Sequence, residues 1–145
     1  MKNLFLLLLL VAILSPACKK KTTAGFANEA VPMTESTVIK ANGHFVSGDH
    51  PTSGKVSIQT GEDGKKYLSF VNFQTENGPD LRVYLSSNTS AADFVEAGKL
   101  KAISGNFFYE LRSSVDYNAK NHLLIWCKKF DVLFGYAILD TKEGE

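Results

Sequence analysis

Residues 122–139, "HLLIWCKKFDVLFGYAIL", read as two apolar strands folded about a polar turn. In "HLLIWC" both alternating faces are apolar, the pattern of a strand covered on both sides. "KKFD" interrupts the run, and "DVLFGYAIL" resumes it, so the two halves pair. A buried β-hairpin of this kind needs a second sheet to cover it. That requirement sets the fold class, and the rest of the chain supplies the strands.

Working backwards, "KVSIQT" alternates, with Val56 and Ile58 on one face. "GEDGKK" contains Asp63-Gly64, a hairpin signal, and "YLSFVNF" is the return strand. "ENGPD" has turn chemistry, and "LRVYLS" alternates again, with Leu81, Val83 and Leu85 pointing one way. "SAADFVEAG" breaks the rhythm. Ser90 as cap, Asp93 at the third helical position and Gly98 as terminator predict a short helix near 90–97. "KLKAIS" and "NFFYEL" are expected as strands joined across Gly105-Asn106. About eight short strands at this spacing predict an all-β antiparallel sandwich or flattened barrel. No βαβ alternation argues for a Rossmann-type sheet.

The chain has 145 residues, which suits one domain. It carries 16 basic and 15 acidic residues. A surface this balanced argues against nucleic acid as a partner. The opening "MKNLFLLLLLVAILSPAC" places Lys2 before an apolar run from Leu4 to Leu14. As a helix that run spans about 16 Å, well short of the roughly 30 Å hydrocarbon core. It is therefore expected to be a signal peptide over residues 1–17.

Ala17 followed by Cys18 resembles a bacterial lipoprotein signal, in which the cysteine becomes the acylated N-terminus. Ser15 stands where that pattern usually has an apolar residue. The resemblance implies lipid attachment at Cys18, a membrane as partner through that anchor, and a place in the bacterial cell envelope on the extracytoplasmic side. Residues 18–36 are expected to be the anchor cysteine and a flexible tether, and 37–141 the β domain.

If Cys18 carries lipid through sulfur, Cys127 is the one thiol of the mature chain. A leftover cysteine in an exported protein is either a reactive or pairing thiol or a small core residue. In a continuing strand Lys128 faces away from Cys127 and only Lys129 shares its side, while Trp126 lies on the opposite face. The core alternative packs Cys127 with Leu123 and Ile125. Of His44, His50 and His122, His50 is the better cofactor-binding candidate, because a neighbouring carboxylate, Asp49, can orient an imidazole. No C-x-x-C, H-E-x-x-H, Walker or G-x-S-x-G motif is present, so no metal site is assigned and no independent enzyme has a signal.

"GHFVSGDHPTSGKVSI", "GPDLRVYLS", "LKAISGNFFYEL" and "LLIWCKKFDVLFGYAIL" together resemble the DM-thirteen domain, also called the electron-transfer DM domain, over about residues 40–139. The resemblance implies a small extracytoplasmic β module with a redox cysteine, which maps onto Cys127, acting as a bare thiol or holding a prosthetic group. Trp126 and Phe130 would shape its pocket, and Trp126 is a second cofactor-binding candidate. The cofactor is unknown; haem or a metal stays open with no motif to support it. Two readings follow: a redox or electron-transfer accessory with a redox partner protein, or a non-catalytic recognition module whose lone cysteine is core.

Overall fold

The computed structural model describes residues 25–30 and 38–141. The expected signal peptide, Cys18 and most of the expected tether lie outside the described residues. The strands are β1 (Ala27–Asn28), β2 (Val38–Ser47), β3 (Thr52–Thr60), β4 (Lys66–Thr75), β5 (Leu81–Ser86), β6 (Phe94–Lys99), β7 (Ser104–Leu111), β8 (His122–Cys127), β9 (Val132–Ile138) and β10 (Asp140–Thr141). Their order across the sheet is β1-β7-β4-β3-β2-β9-β8-β5-β6, with β10 also on β2.

β2 turns the sheet back on itself. Val38–His44 pair with β3, and Phe45–Ser47 pair with β9. One strand therefore serves two walls, and a flattened half-barrel results. All neighbours are antiparallel except β1, which runs parallel to β7. The all-β expectation is met, with the predicted interior faces where alternation puts them. Val56, Ile58, Leu81, Val83 and Leu85 are all 2% exposed or less.

The centre of the core is aromatic. Phe70 stacks on Phe107 at 4.7 Å and on Phe45 at 5.5 Å, and meets Phe73 edge-on at 5.3 Å. Tyr109 closes the cluster; its hydroxyl donates to the Lys99 carbonyl and accepts from the Lys101 amide. Burial pushes the Tyr109 phenol above its ordinary pKa. Ring pairs in these geometries add about 0.5–1.5 kcal/mol each beyond area burial.

Two local expectations are overturned. The segment near 90–97 is not a helix. Its second half is strand β6, which pairs antiparallel with β5. The Phe94 ring stacks on Tyr84 at 3.9 Å, and Ser90 is held in a turn by Asn88 Oδ1. Ala91 has φ 51°, which a helix does not allow. Covering the β5 edge outweighs the local capping signal. Gly105-Asn106 does not join two strands either: "KLKAIS" is not a strand, since β6 ends at Lys99 and 100–103 form a loop, and β7 runs straight through the pair. Gly105 (φ 107°) is where β1 crosses closely: an added Cβ would stand 1.9 Å from the Ala27 carbonyl oxygen. Asn106 bridges, accepting from the Asn72 amide and donating to Asn28 Oδ1.

Strand register puts the loops at two poles. Loops 48–51, 76–80 and 100–103 and the turn 128–131 share one pole with the start of β1. Loops 61–65, 87–93 and 112–121 share the other.

Candidate functional site

Cys127 is the last residue of β8, at the first pole. It is paired across to Leu81 on β5 and to Val132 on β9. Its face of the strand carries Leu123 and Ile125, and all three are 0% exposed in the hydrophobic core. The thiol is free and sealed. Trp126 is half-buried on the outer face, opposite Arg82 and Leu133. The structure therefore does not bring Trp126 to the sulfur.

Above Cys127 lies the turn. Lys128, Lys129 and Phe130 are all exposed, with Phe130 at 63%. The Phe130 ring faces solvent with Lys129 Nζ over it at 5.6 Å. It does not roof the sulfur. Asp131 adopts φ 57°, which lets the chain turn back into β9. Two backbone hydrogen bonds hold the turn: Lys128 N–H to the Asp80 carbonyl at 2.9 Å, and Phe130 N–H to the Cys127 carbonyl at a long 3.3 Å.

Asp80, which supplies that first acceptor, is itself fixed. Arg82 donates to both of its carboxylate oxygens at 2.6 and 3.2 Å and reaches Glu96 at 2.6 Å. The forked hydrogen bonds from Arg82 hold the Asp80 carboxyl below its ordinary pKa, and the same bonds raise that of the guanidinium. Asp80 organises the 76–80 loop over the end of the core.

His50 sits at the same pole, and its carboxylate partner is Glu76, not Asp49. Imidazole Nδ1 lies 2.6 Å from Glu76 Oε2. The ring lies flat on Phe134 at 3.8 Å. Phe134 is the extra residue of a bulge on β9, where Ile125 pairs with Gly135 and Trp126 with Leu133. Its carbonyl accepts from the Gly48 and His50 amides and from Thr52 Oγ1. Thr52 Oγ1 also meets Thr75 Oγ1 at 3.0 Å. Gly135 makes room for this, since an added Cβ would lie 2.4 Å from Thr52 Cβ. Beside the dyad opens a cleft of about 390 Å³ lined by Ser47, Thr52, Gln74, Thr75 and Glu76.

Glu76, Thr52 and Phe134 carry this corner, and sequence reasoning missed them. An isolated glycine inside the β9 pattern is the signal that could have flagged the bulge. The other histidines stand apart: His44 is exposed on β2, and His122 Nδ1 pairs with Asn121 Oδ1 at the opposite pole. A prosthetic group held by Cys127 does not fit this conformation. The sulfur has no exposed surface to offer a metal, and among the described residues no three His, Cys, Asp or Glu side chains converge.

A family model described as "Electron transfer DM13" matches residues 44–139. No curated protein matches, and neither does any solved structure.

Proposed function

The chain belongs to the electron-transfer DM13 family, and from that premise we propose that it is an accessory of an extracytoplasmic redox system in which Cys127 is a guarded thiol. The family assignment supports the general redox role. The finer reading adds lipid attachment at Cys18, residence in the bacterial envelope, and a protein redox partner. Complete burial of Cys127 carries the word "guarded". A sulfur without surface reacts only when the cover opens. The segment proposed to open is the turn that follows Cys127, which has three exposed residues and two backbone hydrogen bonds. Such segments belong to the low-stability end of a fold.

One thiol can perform one half of a thiol–disulfide exchange. The Cys127 thiolate attacks a partner disulfide, the mixed disulfide forms, and a partner thiolate leaves. Guarding has a physical use, because a standing exposed thiol is over-oxidised in an oxidising compartment. His50, held by Glu76, sits at the same pole and is proposed as the group a partner meets there.

The same burial favours a second reading, in which Cys127 is purely core and the domain is a recognition module. Incubating the folded domain with a small aromatic disulfide separates the two. The redox reading expects one mixed-disulfide adduct at Cys127, formed while the circular dichroism stays native. An adduct that appears only as the fold is lost leaves the recognition module.

A further inference from the structure

The described N-terminal segment is not free chain. β1 pairs with Gly105 and Asn106, and the Glu29 amide donates to the Asn106 carbonyl at 2.7 Å. Ser104 Oγ donates to the Gly25 carbonyl at 2.8 Å, and Lys101 Nζ reaches Glu29 Oε2 at 2.8 Å. Residues 25–30 are thus fastened to the edge of β7 within the stretch expected to be tether. Because β1 runs parallel to β7, its N-terminal end points out of the pole that carries the turn 128–131. Cys18 precedes Gly25 by seven residues. Seven residues span at most about 25 Å.

We infer that the domain sits on the membrane with this pole facing the lipid, the Lys128-Lys129-Phe130 turn lying at the bilayer surface. The inference rests on the reading of Cys18 as the acylated residue. Phe130 and Phe26 are the two most exposed large apolar side chains among the described residues, at 63% and 68%, and both lie at this pole. Neither Lys128 nor Lys129 is ion-paired among the described residues. An exposed ring preceded by two lysines, with Asp131 on its other side, fits the boundary between anionic headgroups and acyl chains. The opposite pole exposes Val38, Ile39, Phe94 and Ile138 at its strand ends, each less exposed than Phe130 or Phe26, and its loops 61–65, 87–93 and 112–121 carry no exposed large apolar side chain. The orientation directs the cover of Cys127 towards the bilayer, so the redox partner would be a membrane-bound protein meeting the domain at that surface.

The test uses the full chain, exported and processed, in vesicles of phosphatidylglycerol and phosphatidylethanolamine containing brominated phosphatidylcholine. Two single-tryptophan reporters are made in a Trp126→Phe background: Phe130→Trp at the inferred lipid pole and Asn88→Trp at the other. Bromine is expected to quench the first at least two-fold more than the second. Equal quenching, or the reverse, in protein whose mass includes the acyl chains overturns the orientation and leaves the anchor standing. A mass without acyl chains overturns the anchor reading itself and the inference with it.

Discussion

Replacing Cys127 distinguishes a sealed core sulfur from a surface one by an inverted order of stability. At an exposed position Cys, Ser and Ala differ little. Here the side chain is fully buried, and its backbone is held in ladders on both sides by Leu81 and Val132. Cys127→Ala removes one sulfur-sized apolar group, at a cost of about 1 kcal/mol. Cys127→Ser keeps the size but buries a hydroxyl among aliphatic neighbours. An unpaired buried hydroxyl costs about 1–3 kcal/mol, in addition to the lost apolar transfer. The expected order is Cys, then Ala, then Ser, although serine is the closer isostere. Urea unfolding of the three proteins checks it, with an unchanged m-value certifying the same two states. In thermal melts the serine variant should fall furthest, by roughly 4–8 °C per kcal/mol for a domain near 100 residues. A serine variant as stable as the parent would refute the sealed-core geometry.

Phe70→Ala, at the hub of the aromatic cluster, should cost about 3–5 kcal/mol in urea unfolding; a loss under about 1 kcal/mol would show that the ring contacts are not what holds the two walls together. Gly105→Val should detach β1, because both the positive φ and the approach of the Ala27 carbonyl exclude a side chain; amide exchange at Glu29, whose N–H is bonded to Asn106, should then become fast while the core stays protected. The Asp80–Arg82 pair sets a pH dependence. Arg82 lowers the folded carboxyl pKa, so the contribution is complete above the unfolded aspartate value, near pH 4, and is lost as pH falls towards the folded value. Asp80→Asn should cost about 1 kcal/mol at neutral pH and should flatten the acid limb of the stability curve; an unchanged limb would contradict the assignment.

The strands were legible wherever burial is enforced by alternation. "LRVYLS" and "HLLIWC" lie between two neighbours each, so their sequence records both faces. β6 was not legible, because what fixes it is Phe94 on Tyr84, a contact across a hairpin that local capping patterns do not encode. The Gly105-Asn106 pair failed for a related reason. Glycine there serves the approach of a distant segment, and its local signature is the same as that of a turn. In the candidate site, Cys127 and His50 were visible as residue types, and the alternation placing Trp126 away from the sulfur was visible too. Glu76 was not, since it reaches His50 from 26 residues away through a loop. The bulge that turns Phe134 under the imidazole adds one residue to β9, which no period-two pattern foretells.

The guarded thiol predicts that Cys127 is reached by opening one end of the half-barrel and not by unfolding all of it. Alkylation of the folded domain as a function of low urea concentrations measures that directly, because the slope reports the surface exposed in the reactive opening. The account predicts an opening free energy and a slope both well below those of global unfolding, with the free energy lowered further in Asp80→Asn, which loosens the residue whose carbonyl accepts from the Lys128 amide. Labelling whose energy and slope coincide with global unfolding would contradict it.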